Sequence, residues 1–294
     1  KTPVQKFEES VVNAMLSMGV NQISTFSFVS PKYFDKINLP KDSKLRNTVV
    51  ITNPLGEDTS VMRTTILPSV CEVLSRNYNY RNAECAVFEL ANEYIPIEGE
   101  ILPVEPHRLG IGMYGSDDVD FYSIKGIVEG LMDKLGAKNV EFDRPDENTI
   151  FDEVASFHPG RVAVVKVDGV EMGIFGELHP DVLDNYSIGT RAYAGKINVT
   201  ELIGSCEPQK TYKPLPKFPA TTRDLSLICD DDVPVAKIEK AIKGAVGNIL
   251  EKVTLFDVYK GKQIEEGKKS VSYSISMTDA FSNRVFVNVV ASNP

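Results

Sequence analysis

The chain has 294 residues, of which 42% are hydrophobic, and a net charge of −9. Its length and apolar content suit one large or two ordinary globular domains, and its negative charge argues against a chain that coats nucleic acid with its whole surface. The sequence contains no CxxC pair, no apolar signal core and no stretch near the roughly 18 apolar residues of a membrane helix, so we expect a cytoplasmic chain without a membrane partner or zinc site.

The first two thirds of the chain carry more strand patterns than helix patterns. Helical periodicity predicts helices over residues 4–18, 66–76 and 121–135. Strand-like runs occur at residues 22–29, 47–52, 85–91, 108–114, 162–168 and 192–199. Because strands outnumber helices without strict βα alternation, we predict an α+β domain around a mainly antiparallel sheet.

Two local motifs in this part have both a functional and a structural interpretation. Residues 110–115 read GIGMYG, which matches a dinucleotide-binding pattern, but the glycines lie inside a predicted strand and no βαβ unit surrounds them. His158 and His179, with Glu177, could bind a metal, yet both histidines precede proline in turn-like stretches and their spacing has no ligand geometry. We expect structural roles for both motifs.

A proline-rich segment divides the chain. Residues 206–219 contain four prolines and no helical or strand period, so we predict a domain linker there. Residues 212–294 carry 12 Lys and Arg against 10 Asp and Glu, whereas residues 1–211 carry 20 against 31. This asymmetry is a weak indication of a polyanion contact in the second part.

After the linker, the pattern indicates strand, helix, strand, strand. A strand through Leu225 is followed by a helix with apolar residues at spacings of three and four, a strand over residues 252–260 and a strand over residues 270–277. This order is the first part of a ferredoxin-like split βαβ unit. A second helix and a fourth strand should follow, but residues 278–294 have no helical period.

A longer string of motifs resembles a known family. MRTTILP (62–68), VFELANEYIP (87–96), HRLGIGMYG (107–115), DFYSIKGIVEGLM (120–132), FHPGRVA (157–163) and GIFGELHPDVL (173–183) follow one another. In this order they resemble the class II synthetase-like module of bacterial phenylalanine–tRNA ligase beta subunits. Residues 217–242, LFDVYKG (255–261) and GKKSVSYSIS (267–276) resemble the ferredoxin-fold anticodon-binding domain of the same subunits.

The resemblance implies a domain organisation. We expect a class II synthetase-like module over residues 1–205, a linker over 206–219 and an anticodon-binding domain over 220–294. Full-length subunits carry further domains before this point, so the resemblance implies a C-terminal fragment. The usual ending of the anticodon-binding domain is replaced after Asp279, which implies that this domain is incomplete at its C-terminus.

The resemblance also implies a non-catalytic chain. Class II synthetases hold ATP phosphates with arginines, but here Arg63 stands alone, Glu89 and Leu90 occupy the place of an R-x-E, and residues 194–203 lack the Gly-rich arginine motif. Adenylation, with ATP and Mg²⁺, is then implied for the alpha subunit, and no cofactor for this chain. The implied partners are the alpha subunit, in an (αβ)₂ heterotetramer, and tRNA(Phe).

Basic and aromatic residues around the second domain are candidates for RNA contact. Unpaired anticodon bases are bound by stacking on aromatic rings and by edge hydrogen bonds, with basic side chains on the phosphates. The candidate residues are Lys217, Phe218, Arg223, Tyr259, Lys260 and Lys262. Asp224 would pair with Arg223 or fix a neighbouring loop. Two alternatives remain open, a free-standing nucleotide-binding enzyme and an RNA-binding regulator.

Overall fold

The computed structural model of the chain describes residues 1–207, 212, 219–261 and 263–278. The chain divides into two compact units, Lys1–Lys210 and Thr211–Pro294. The predicted domain boundaries and the linker over residues 206–219 stay predictions, because most of the linker lies outside the described residues. No described helix has the length and apolar content needed to cross a membrane.

The described helices and strands of the first unit alternate irregularly. Its helices are α1 Pro3–Ser17, α2 Tyr33–Lys36, α3 Leu67–Asn79, α4 Phe121–Leu135, α5 Pro180–Asn185 and α6 Val199–Leu202. Its strands are β1 Asn21–Gln22, β2 Phe28–Val29, β3 Val61–Met62, β4 Cys85–Asn92, β5 His107–Tyr114, β6 Val140–Asp143, β7 Phe157–Val167, β8 Val170–Leu178 and β9 Tyr193–Asn198. The second unit contains β10 Thr221–Asp230, α7 Val235–Val246, β11 Leu250–Tyr259 and β12 Lys268–Met277.

A seven-stranded sheet in the order β1-β4-β5-β9-β8-β7-β6 forms the centre of the first unit. Only the short β1–β4 pair is parallel, so the predicted α+β class with a mainly antiparallel sheet is confirmed. Successive side chains of β7 point to opposite faces of the sheet and belong to different cores: Ala163 packs with α1 and α4, whereas Val164 packs with α3. The sheet is therefore covered by helices on both faces.

Local capping explains why the predicted helices begin and end where they do. Thr2 and Gln5 form a capping box at the start of α1, and Asp120 and Ser123 form one at the start of α4. Gly136 ends α4 in the left-handed conformation, with φ of 72°. The helix predicted over residues 121–135 has the observed bounds, and that over 4–18 differs by one residue at each end.

Some strand predictions were wrong. The run at residues 22–29 is divided, because the backbone N–H of Thr25 donates to the Glu89 carboxylate instead of joining a ladder. The run at residues 47–52 contributes only an isolated bridge between Val50 and Val61. No strand was predicted over β8, because its glycines weaken the strand pattern. One of them, Gly173, is closely packed: a Cβ at this position would lie 2.7 Å from the carbonyl oxygen of Lys196.

The second unit forms an antiparallel sheet in the order β10-β12-β11, with α7 on one face. This strand order matches the predicted ferredoxin-like arrangement, which is confirmed. The predicted second helix, the fourth strand and the altered ending fall after residue 278, outside the described residues.

Candidate functional site

The two faces of the second sheet differ in chemistry because the residues of β12 alternate. Its odd-numbered residues Val271, Tyr273, Ile275 and Met277 are buried in the core with α7. Its even-numbered residues, all serine between positions 270 and 276, point to the other face. In the described part of the chain no helix covers that face, which we call the open face. It comprises Thr222, Asp224, Ser226, Ile228, Lys252, Thr254, Asp257, Tyr259, Ser270, Ser272, Ser274 and Ser276.

Small hydroxyl groups form the centre of the open face, and larger side chains border it. The hydroxyls of Ser226 and Ser272 lie 2.9 Å apart across β10 and β12. Ile228 and Tyr259 are 67% and 42% exposed, and Phe256, at a bulge of β11, is 57% exposed. Exposed rings beside hydroxyl donors and acceptors are the combination by which proteins hold unpaired nucleotides.

Tyr259 is the predicted RNA-contacting residue that lies on the open face. It is paired with Ser270 at one end of the sheet. Lys260 follows directly, and its ammonium group forms an ion pair with Asp231. The hydrogen bond from Lys260 lowers the pKa of the Asp231 carboxyl. Both partners are largely exposed, so this pair orients Lys260 without removing it from solvent.

Arg223 occupies a different place from Tyr259. It is paired with Ile275, which faces the core, so Arg223 projects from the face opposite to Tyr259. Arg223 is paired with Ile275 and Tyr259 with Ser270, and these two residues of β12 are five positions apart, about 17 Å along the strand. The Arg223 guanidinium donates to the Thr222 carbonyl at 3.0 Å, and no ion pair with Asp224 is present among the described residues. Arg223 and Asp224 stand side by side because neighbouring strand residues serve opposite faces.

The other predicted RNA contacts, Lys217, Phe218 and Lys262, lie outside the described residues. Conversely, the prediction did not include the serines, Asp257 or Lys252 of the open face. The signal was present in the sequence SVSYSISM, where the alternation that assigns the apolar residues to the core assigns the serines to the other face.

Arg63, the arginine considered for phosphate binding, is a structural residue of the first unit. It is 2% exposed. Its guanidinium donates to the Asn92 carbonyl at 3.0 Å, the Thr25 hydroxyl at 2.8 Å and the Glu89 carboxylate at 3.3 Å. With these partners inside the protein, Arg63 has no free face for an ATP phosphate.

A buried charge cluster lies on the same unit and joins β4, β5, β9 and the turn at residues 152–156. It comprises Glu93, Arg108, Glu153, Lys196 and, at its edge, Glu201. Lys196 pairs with Glu153 and lies 3.7 Å from Glu93, and Arg108 bridges Glu93 at 3.4 Å and Glu201 at 2.6 Å. Burial raises the pKa of Glu93; burial alone would lower the pKa of Lys196, but the two carboxylates outweigh it and raise that pKa.

The glycines of GIGMYG serve packing and do not form a phosphate loop. Gly110 and Gly112 lie within β5, beneath α3. A Cβ at Gly110 would lie 2.8 Å from a methyl carbon of Val70, and one at Gly112 would lie 3.1 Å from Leu74. Both glycines lie inside a strand and are closely packed by apolar side chains of Ile66, Val70 and Leu74, so they do not favour a nucleotide site.

The two His-Pro motifs have structural surroundings, but the predicted turn at residues 157–161 is wrong: these residues belong to β7, at a register shift with β8, and His179 is the N-cap of α5. The Nδ1 atom of His158 accepts from the Gly160 N–H at 3.1 Å, and that of His179 accepts from the Asp181 N–H at 3.2 Å at the start of α5. No group of three metal-binding side chains is present in the described ranges.

The first unit also carries an exposed apolar surface. We define this apolar surface as Phe26, Phe28, Val50, Ile97, Ile101, Leu102 and Val104; Phe26 is 81% exposed and Ile101 is 97% exposed. The segments that carry them are neighbours, since the Arg63 N–H donates to Ser27 and the Tyr94 N–H donates to Arg63, both at 2.9 Å. Ile95 in turn bridges Val104. The exposed apolar side chains thus lie on neighbouring segments, and apolar patches on a surface mark protein–protein contact sites.

Comparisons with known proteins assign both units. The model of the phenylalanyl tRNA synthetase beta chain CLM domain matches residues 1–199, and that of the ferredoxin-fold anticodon binding domain matches residues 216–283. The phenylalanine–tRNA ligase beta subunit of Clostridium tetani is 48% identical over 99% of this chain and 37% of its own length. That of Clostridium acetobutylicum is 46% identical over 95% of this chain and 34% of its own length. The chain thus spans about a third of these relatives, and it belongs to the phenylalanine–tRNA ligase beta subunit family.

Proposed function

We propose that this chain binds tRNA(Phe) and supports a catalytic alpha subunit in the ATP-dependent attachment of phenylalanine to its tRNA. The observation that carries the proposal is the open face, a serine-lined sheet surface bordered by Tyr259, Phe256 and Ile228 in the unit matched by an anticodon-binding family. The proposed place of action is the cytoplasm, where tRNA is charged. The proposed assembly is an (αβ)₂ heterotetramer.

The open face suits an anticodon because anticodon bases are unpaired and can be spread on a sheet. Tyr259 offers a ring for stacking, and its strand neighbour Asp257 offers a carboxylate that accepts hydrogen bonds from base amino or imino groups. The serine hydroxyls act as donors or acceptors at close range, since their short side chains let a base approach the backbone. Lys252 and Lys260 supply cations for phosphates at the two ends of β11.

The chemistry of ATP activation is assigned to the alpha subunit. Arg63 is committed to internal hydrogen bonds, and both cations of the buried charge cluster, Arg108 and Lys196, are paired with carboxylates of the chain. ATP and Mg²⁺ would therefore act in the complex and not on this chain. This chain would contribute its apolar surface as the contact with the alpha subunit, because stable interfaces bury about 1,600 Å² and have an apolar centre.

The test of RNA recognition is the change Tyr259→Ala. Removal of a stacking ring is expected to weaken binding of tRNA(Phe) by about 1–3 kcal/mol, and Tyr259→Phe, which keeps the ring, is expected to retain most of the affinity. Binding is measured with tRNA(Phe) and with the same tRNA carrying a changed anticodon, each at two salt concentrations. Tyr122→Ala is the matched control, since Tyr122 is 73% exposed on α4 of the other unit.

Two results would contradict the proposal. One is equal binding of both tRNAs by the unchanged chain, and the other is an equal loss of affinity for Tyr259→Ala and Tyr122→Ala. Either result would remove anticodon recognition from the open face and leave the chain with its contact to the alpha subunit.

A further inference from the structure

A cleft of about 480 Å³ lies in the first unit where α3 and β5 end. Its lining includes Tyr78, Asn79, Arg81, Asn82, Tyr114 and Thr190. The volume falls in the range of about 300–1,000 Å³ that is typical of small-molecule sites. None of these residues belongs to the open face, the apolar surface or the buried charge cluster, so the functions proposed above do not explain the cleft.

Two tyrosines give the cleft an aromatic side. The rings of Tyr78 and Tyr114 meet edge to face, with centroids 5.9 Å apart. Tyr114 is 2% exposed, and its hydroxyl donates to the Asn82 carbonyl at 3.1 Å, so this ring is fixed. Tyr78 is half-buried and keeps part of its surface in the cleft. A fixed aromatic pair with one partly exposed ring provides a platform for a flat ligand.

A preorganised polar loop forms the other side. Residues 75–83 read SRNYNYRNA and contain no carboxylate. The N–H of Arg81 donates to the Tyr78 carbonyl at 2.8 Å, and that of Asn82 donates to the Asn77 carbonyl at 3.2 Å. Carbonyl groups in the last turn of α3 thus have hydrogen-bond partners in the residues that follow the helix. Arg81 holds the left-handed conformation, with φ of 62°, and is exposed. In the described part of the chain no carboxylate pairs with its guanidinium.

We propose that this cleft binds one unpaired nucleotide of RNA. The base would stack on Tyr78, the side-chain amide of Asn79 would bond to the base edge, and Arg81 would hold the phosphate. Aromatic, amide and guanidinium groups in one cleft fit a nucleotide better than an acidic peptide, which needs no stacking surface. The proposal rests on the proposed tRNA binding of the chain and adds a second RNA contact that is independent of the anticodon.

The test compares Arg81→Gln with Arg144→Gln. Arg144 is also an exposed arginine of the first unit without a carboxylate partner in the described ranges, so both variants remove one unpaired positive charge. Binding of tRNA(Phe) is measured at 50 mM and 200 mM salt. Loss of one phosphate contact to an unpaired nucleotide should lower the salt slope by about 0.7, so the fall in affinity between the two salt concentrations becomes about 2.6-fold smaller for Arg81→Gln. Arg144→Gln should leave it unchanged.

Ultraviolet cross-linking of the unchanged chain to tRNA(Phe) gives a second measurement. We expect a cross-linked peptide that contains Tyr78. An unchanged salt slope for Arg81→Gln with no cross-link at Tyr78 would overturn the proposal, as would binding of AMP but not of tRNA in the cleft.

The anticodon variants separate this proposal from the proposed function. Arg81→Gln should lower the affinity for tRNA(Phe) and for the anticodon-changed tRNA by the same factor. Tyr259→Ala should lower mainly the affinity for tRNA(Phe). If Tyr259→Ala alone has an effect, the second contact is refuted and the proposed function stands. If Arg81→Gln alone has an effect, the second contact and tRNA binding stand, and anticodon recognition by the open face is refuted.

Discussion

Gly112 sets how closely α3 approaches the central sheet. Its Cα faces Val70 and Leu74, and no space remains for a side chain. Gly126, in the middle of α4, has no heavy atom within 4 Å of the place of a Cβ. A change from glycine to alanine should therefore have opposite effects on stability at the two positions. At Gly112 the added methyl group overpacks the core, and at Gly126 it favours the helix.

We expect Gly112→Ala to lower the free energy of unfolding by about 1–3 kcal/mol, because the added methyl group forces α3 away from β5. Gly126→Ala should raise it by about 0.5–1 kcal/mol, since alanine favours the helix interior. Denaturant unfolding of both variants measures the two shifts. A stable Gly112→Ala protein would show that the α3–β5 contact is looser than the structure indicates.

At the residue scale, the sequence located part of the candidate site. Tyr259 was predicted as an RNA contact and lies on the open face, but Arg223 projects from the opposite face and end of the sheet. Alternation with Leu225, Leu227 and Cys229 assigns Arg223 to the core face, but its distance from Tyr259 depends on strand register, which is fixed by pairing with Ile275. The sequence could not reveal the Tyr78 cleft, since α3 and β5 meet there only through tertiary packing.

At the element scale, the buried charge cluster holds three strands and the turn at residues 152–156 in one arrangement. Lys196 from β9 meets Glu93, which follows β4, and Glu153 from the turn. The Glu93 carboxylate also accepts the Ile66 N–H at 2.8 Å, just before α3 begins. A single lysine thus neutralises carboxylates from two segments that are distant in sequence.

We expect Lys196→Met to lower the free energy of unfolding by about 3–5 kcal/mol at neutral pH, because the buried Glu153 carboxylate loses its cation and Glu93 keeps only Arg108. Burial already raises the pKa of Glu93, and loss of Lys196 should raise it further. The folded variant then binds protons more tightly than the unfolded chain, so its stability should increase as pH falls from 7 towards the usual Glu range. Unfolding curves across this range measure the effect, and a pH-independent difference from the unchanged chain would contradict it.

The elements themselves were predicted where their signals are local. Apolar periodicity located α1 and α4 to within one residue, and the capping boxes in the structure explain why these local bounds hold. The strand β8 was missed because glycines replaced the expected β-branched residues. Its glycines are needed by neighbouring strands, as at Gly173 beside the Lys196 carbonyl, and this requirement is not local.

At the scale of the whole molecule, the apolar surface is the feature that most requires a partner. Its side chains come from three separate segments, around Phe28, Val50 and Ile101. Exposed apolar patches favour association, so this surface supports the proposed contact with an alpha subunit.

We expect the double change Phe26→Ser and Ile101→Ser to weaken binding to a phenylalanine–tRNA ligase alpha subunit at least tenfold, because truncation of interface anchors costs more than about 1.4 kcal/mol. Val170→Ser, at a 56% exposed valine of the β7–β8 hairpin, is the matched control and should bind normally. Titration calorimetry measures both. Unchanged binding by the double variant would remove the apolar surface from the interface, and no binding by the unchanged chain would favour the regulator.

Because residues alternate along β12, substitutions that affect the core fall at different positions from substitutions that affect the open face. Odd-numbered positions from Val271 to Met277 determine how well the second unit is packed, and even-numbered positions from Ser270 to Ser276 determine what its open face meets. Apart from the buried Ser272, a substitution at an even position alters the open face with little effect on the core, and one at an odd position does the reverse. A lineage can therefore change the surface chemistry and the thermal tolerance of this unit largely independently within one ten-residue strand.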